Sequence, residues 1–206
     1  MPPGRFVPLS SPSIADKTLY VRRFNRMTRL APILIVLLVA AHVAVTQSDA
    51  VSADEYSVYS ALINARFIKP KTDFAIIQAQ TGLHLGGGGA KELEDLLWAQ
   101  NKKSYSLERR FDIRVKYQLL DDRQFEQTFG KDVEALDKGW NQYWTQHPHS
   151  TGLLTLSRVA FKPDTGEAIL FASEVCGGLC GYGYFFRLKK DQGTWKIVEE
   201  RFLWIS

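Results

Sequence analysis

Residues 167–190 read EAILFASEVCGGLCGYGYFFRLKK. Two β-type runs, EAILFASEV (167–175) and YFFRLKK (184–190), flank a glycine-rich link that carries Cys176 and Cys180. So short a connection joins only antiparallel neighbours. Outward from this pair, LLTLSRVAF (153–161) precedes it across KPDTG, and WKIVEERFLWI (195–205) follows it across DQGT. The four runs predict an antiparallel meander of about four strands.

Helical spacing dominates upstream. Ser52 and Glu55 stand at capping-box spacing. Tyr56, Tyr59, Leu62, Ile63 and Phe67 then recur on one face, which predicts a helix over 54–67 that ends near Pro70. FAIIQA (74–79) reads as a strand. AKELEDLLWAQNKK (90–103) reads as a helix with Leu93, Leu96 and Leu97 on one side. Ile113, Val115, Tyr117 and Leu119 alternate with polar residues, as in a half-buried strand. Residues 121–147 predict a helix interrupted near Gly130, with Val133, Leu136, Trp140 and Trp144 as its stripe and Pro148 at its end. Early helices and late strands predict an α+β fold: N-terminal helices packed on the C-terminal antiparallel meander, plus one or two earlier strands.

Residues 31–45, APILIVLLVAAHVAV, form an apolar run behind a cluster of arginines. A membrane span takes roughly 20 helical residues. The shorter run therefore predicts a secretory signal, with cleavage after Ala50 or Ala53, and from Met27 onward the segment has the shape of an ordinary signal peptide. The rival expectation is an uncleaved signal anchor over 31–47, which would be the chain's only route to a membrane. The organisation expected is a leader at 1–50 and one exported domain at 51–206, periplasmic or extracellular.

Charge agrees with that division. The chain holds 26 basic and 22 acidic side chains. Six of the basic and two of the acidic ones fall within residues 1–50, so the body carries 20 of each and is neutral. A neutral body gives no compositional support for counterion release on phosphates, and no nucleic-acid partner is expected.

Cys176 and Cys180 are the only cysteines. At a hairpin tip they face each other within disulfide reach, and export would place them in an oxidising compartment. A structural disulfide is expected. Free thiols, a metal site and a redox site are the alternatives. A zinc site would need two further ligands, such as His147 and His149, and a thioredoxin-type motif has two intervening residues, not three. No metal or cofactor is expected. GLHLGGGGAK (82–91) has the glycines of a phosphate loop, but no Ser or Thr follows Lys91, so a flexible loop is expected, with His84 as a surface histidine. Ser157-Arg158 interrupts an apolar run. It is either the outward face of that strand or a buried or rim arginine paired with Glu174 or a ligand carboxylate.

The phrases DEYSVYSALIN, TGLLTLSRVAF, GLCGYGYFFRLKK and GTWKIVEERFLWIS resemble a group of exported bacterial proteins that carries no assigned activity. The resemblance implies a secreted bacterial domain and transfers no functional residue. A helix on a curved antiparallel sheet is also similar in plan to cystatin-like and nuclear-transport-factor-2-like folds, which host unrelated functions. The sequence shows no nucleophile elbow, zinc-helix or calcium-loop motif. It has an aromatic surplus, with Trp98, Trp195 and Trp204 beside Trp140, Tyr143 and Trp144. The last three fall on about one helical turn and are the expected contact surface for a protein or small ligand. The expected function is therefore a non-enzymatic binding or envelope-interaction module. The alternative is a hydrolase or isomerase whose pocket gathers scattered polar residues, His84 or His147 among them.

Overall fold

The computed structural model describes residues 50–82, 91–162 and 165–206. The predicted signal segment at 31–45, the glycine-rich loop with His84, and Pro163-Asp164 lie outside the described residues.

Helix α1 (Ala53–Leu62) begins with the predicted capping box. Glu55 N–H donates to Ser52 Oγ at 3.2 Å, and Ser52 N–H donates to Glu55 Oε2 at 2.9 Å. Two orphan donors of the first turn are thereby satisfied. The helix does not stay regular to residue 67. Ile63–Phe67 forms a π-helical turn, closed by Ile68 N–H on the Ile63 carbonyl at 3.0 Å. Ile63 and Phe67 remain buried through this wider turn. Arg66 emerges from it to pair with Glu200 at 2.8 Å and to cover the Tyr184 ring.

One seven-stranded sheet contains β1 (Phe74–Gln78), β2 (Lys116–Leu120), β3 (Ser150–Leu156), β4 (Ala160–Lys162), β5 (Glu167–Gly177), β6 (Cys180–Asp191) and β7 (Thr194–Ile205). The order is β2-β1-β3-β5-β6-β7, with β4 paired to β5. The architecture is α+β as expected, and β3, β5, β6 and β7 form the predicted antiparallel meander. The two earlier strands join it differently: β1 pairs in parallel with both β2 and β3. Parallel neighbours need long crossovers. Helix α2 (Lys91–Gln100) occupies the first crossover, and α3 (Asp122–Phe129) with α4 (Val133–Gln146) occupies the second. The break between these last two comes at Gly130, whose φ of 89° suits glycine. Strand β2 starts at Lys116, not at Ile113. Ile113 and Val115 pack against the core from the segment before it.

The apolar run 153–161 is two strands. It breaks at Ser157–Val159, and all three backbone N–H groups and the first two carbonyls at the break have partners. Ser157 N–H donates to the Phe171 carbonyl at 2.9 Å, and the Ser157 carbonyl accepts the Tyr59 hydroxyl at 2.8 Å. Asn101 accepts Arg158 N–H at 2.7 Å and donates to the Arg158 carbonyl at 3.3 Å. Val159 N–H donates to Glu55 Oε1 at 3.2 Å. Of the two expectations for Arg158, the buried one holds, but its partner is Glu55 and not Glu174. Arg158 Nε and Nη2 meet Glu55 Oε1 and Oε2 at 2.6 and 2.9 Å. Both side chains are buried, Glu55 at 2% and Arg158 at 4% exposure. Glu174 instead accepts the Gly152 N–H at 2.9 Å and the Tyr182 hydroxyl.

The sheet is covered on both faces. Helix α1 and the π-turn bury Tyr59, Leu62, Ile63 and Phe67 against Ile77, Leu154, Leu170 and Phe186. On the opposite face, α3 and α4 bury Phe129, Trp140 and Tyr143 against Ile76, Leu120 and Leu153. Leu96 and Leu97 of α2 cover Ile169 and Phe185.

Cys176 and Cys180 are disulfide-bonded across the β5–β6 hairpin tip, with Cα atoms 5.0 Å apart. The tip leans on α4. Trp144 Nε1–H donates to the Cys176 carbonyl at 3.0 Å, and a Cβ at Gly178 would collide with the Asp137 carboxylate. The closed loop is small, so chain entropy limits the bond to about 2 kcal/mol. Replacing both cysteines by serine should lower the unfolding free energy by about that amount while leaving the far-ultraviolet circular dichroism intact. Urea titration of the two forms measures it, and a loss of folding altogether would contradict a merely local staple.

Candidate functional site

The first turn of α4 is capped by Asp132, whose Oδ1 accepts the Ala135 N–H at 2.8 Å. The 3.6-residue period then places Gly139, Gln142, Tyr143 and Gln146 along one side of the helix. That side faces α3 and the sheet edge. Gly139 is required there: a Cβ would lie 2.5 Å from Phe129 Cα, so only glycine lets the two helices approach this closely.

Between α3, α4 and the strands β1 and β2 lies a pocket of about 320 Å³. Four glutamines line it: Gln118 from β2, Gln127 from α3, and Gln142 and Gln146 from α4. Thr128 adds a hydroxyl, while Phe74, Tyr143 and His147 add ring faces. The Phe74 and His147 rings stack at 5.3 Å, and the Tyr143 ring lies tilted 5.0 Å from His147. The described lining holds no carboxylate, lysine or arginine. The Tyr143 hydroxyl is bonded to Ser150. Burial pushes its pKa up to about 12, against the lowering effect of the Ser150 hydrogen bond, with Asp73 adding to the rise. Tyr143 is thus a neutral hydroxyl at physiological pH and not an anion.

The glutamine amides decide what this pocket can do. None of the four makes a hydrogen bond to another described residue. Each carries a donor and an acceptor.

A second hollow, of about 460 Å³, lies beside α1 and is lined by Tyr56, Ser57, Ser60, Asn64 and Asp112, among others. Its serines and its asparagine are already engaged. Ser57 accepts Trp195 Nε1–H at 3.0 Å, Ser60 accepts Asp112 N–H at 2.9 Å, and Asn64 bonds to the Asp112 carbonyl and the Arg114 N–H. Those groups serve the fold.

The structure separates the residues singled out from the sequence. Trp140 and Tyr143 are buried at 2% and 6% exposure, and Trp144 is half-buried. Trp140 stacks between Phe129 and Trp144, so the aromatic turn fills the second core instead of standing wholly at the surface. Tyr143 alone of the three also lines the pocket. Trp195 is buried, and the Trp204 ring lies over Gly183, where a Cβ would meet its indole nitrogen. Cys176 and Cys180 are bonded to each other and present no thiolate. His147 and His149 do not join them. The His147 imidazole lies in the pocket wall, and the His149 carbonyl accepts Asp73 N–H at 3.1 Å. Among the described residues, no three His, Cys, Asp or Glu side chains are grouped to hold a metal ion.

Sequence reasoning did not find the four glutamines. Gln142 and Gln146 carried a faint signal, since they share a face four residues apart. Gln118 and Gln127 lie on consecutive elements, β2 and α3, and meet Gln142 and Gln146 only once α4 packs beside α3.

Comparison with known proteins returns no family model, no curated protein and no solved structure similar to this chain.

Proposed function

We propose that the chain is an exported module that acts by non-covalent binding, and that its pocket takes a neutral polyhydroxylated compound, chemically a saccharide. The observation that carries this reading is the set of four unengaged glutamine amides around one cavity. Amides pair with hydroxyl groups in both directions, while the ring faces of Phe74 and Tyr143 suit the apolar face of a sugar ring. Unpaired amides facing water lose little on their own. Transferred to a ligand that fits, each bond contributes on the order of 1 kcal/mol.

Differential scanning fluorimetry over a panel of neutral di- and trisaccharides should give at least one rise in Tm. That rise should vanish in Gln142→Ala/Gln146→Ala, and mass spectrometry should find the sugar unaltered. A panel with no rise, or a rise that survives the double change, contradicts the proposal.

One observation favours a second reading. His147 is a base by residue type and sits in the pocket wall, as a hydrolase or isomerase would need. Its ring packs against Phe74 and Tyr143, and no described carboxylate lines the pocket to orient it or to serve as a second acid. Sugar cleavage that is lost in His147→Ala would establish this reading over the first.

Export is supported by the apolar run at 31–45 and by the disulfide, which persists in oxidising compartments. No helix among the described residues is long and apolar enough to cross a membrane. N-terminal sequencing of the protein recovered from cells should begin at Val51 or Asp54. A cytoplasmic chain that retains residues 1–50 would contradict export.

A further inference from the structure

The glutamine pocket does not end at the Phe74–His147 stack. The same two rings also line another hollow of about 580 Å³, together with Thr72, Asp73, Arg114 and Lys116. The two cavities share this wall and share a strand. Lys116 pairs in register with Phe74, and Gln118 pairs with Ile76, all within the parallel β1–β2 ladder. Alternate residues of a strand face the same side, so Lys116 and Gln118 project from the same face of β2. Their Cα atoms stand about 7 Å apart, two residues along an edge strand.

That spacing joins two chemistries. At Gln118 the surface is neutral and amide-lined; one step along the strand, at Lys116, it is cationic. Arg114 and Lys116 face a single acid, Asp73, which leaves the hollow with one net positive charge. Arg114 is held by its backbone and side-chain bonds to Asn64. Lys116 makes no ion pair or hydrogen bond with another described side chain and is exposed. It is therefore the cation with freedom to meet a ligand. Among the described residues β2 is also an outer strand of the sheet.

We propose that the ligand is an acidic saccharide. Its hydroxyl groups occupy the glutamine pocket, and its anionic group, a carboxylate or a phosphate, crosses the Phe74–His147 wall to Lys116. This inference rests on the saccharide reading of the first pocket and deepens it. A compact ammonium suits either anion as a point charge, so the geometry at Lys116 favours neither source. An opposing carboxylate at Asp73 sets a moderate preference for the acid over the neutral sugar, not an absolute one.

Isothermal titration of the full exported domain with two matched pairs tests this. The pairs are galactobiose against digalacturonate, and trehalose against trehalose 6-phosphate. At low salt the acidic member of at least one pair should bind about tenfold more tightly than its neutral partner. Lys116→Gln should bring that ratio close to one, and Lys116→Glu should invert it. Asp73→Asn should move the ratio the other way and raise it. Which pair shows the preference separates carboxylate from phosphate. Circular dichroism verifies that each variant is folded.

Equal binding of acidic and neutral sugars by the unaltered protein overturns the acidic ligand while leaving the glutamine pocket standing. A preference that survives Lys116→Glu overturns the placement of the anion. Absence of binding by all four sugars, with the neutral panel above also silent, overturns the saccharide reading itself and this inference with it.

Discussion

The Glu55 carboxylate is the point on which the rest of the structure turns. It closes the capping box of α1, accepts two bonds from Arg158, and accepts the Val159 N–H. It thereby joins the start of α1 to the break between β3 and β4, across 103 residues. The cost of burying two charges is offset only when the geometry is good and the remaining groups are satisfied. Here the pair is bidentate, and Asn101 satisfies the Arg158 backbone. Arg158 Nη1 has no hydrogen-bond partner among the described residues, but the guanidinium carbon lies 4.1 Å from the Tyr105 ring centre, where cation–π attraction compensates in part. Burial works against the arginine's charge, yet its bond and charge attraction to Glu55 leave the guanidinium pKa raised.

That junction fixes where the sheet stops being continuous, and so where each layer sits. Because β3 ends at Leu156, β5 can pair with β3 over Val175–Ala172 and with β4 over Ile169–Glu167. One face is left to α1 and the other to α2, α3 and α4. The parallel insertion of β1 then carries β2 to the outside. At that edge α3 and α4 do not close over the strands completely, and the gap between them is the glutamine pocket. Core and site thus depend on each other through α4: its inner side, Trp140 and Tyr143, packs on the sheet, and its flank carries Gln142 and Gln146.

Much of this was legible in the sequence where the signal is local. The Ser52–Glu55 spacing located α1, Gly130 located the break between α3 and α4, and the four β-type runs gave the meander and its disulfide tip. What was hidden depends on distance along the chain. Parallel pairing leaves no short-turn signature, so the order β2-β1-β3 could not be read from spacing. Glu55 as the partner of Arg158 was equally hidden, because the local capping motif already accounts for that carboxylate. Trp140 and Tyr143 illustrate the converse. Their crowding on one turn suggested a surface patch, yet Phe129 and the sheet provide enough apolar surface to bury them. The glutamines are unremarkable one by one and become a site only when two helices and a strand bring them together.

A double-mutant cycle on Glu55 and Arg158 addresses the central junction most directly. Glu55→Gln keeps a side chain able to complete the capping box while removing the charge. Arg158→Met keeps the length and apolar bulk of the arginine stem. If the buried pair holds the break in place, each single change should lower the unfolding free energy by about 3–5 kcal/mol, since each strands the other partner in the interior. The double variant should then lose far less than the sum, giving a coupling of about 2 kcal/mol or more. Two single changes that each cost under about 1 kcal/mol, as for an exposed pair, with additive effects, would contradict the account.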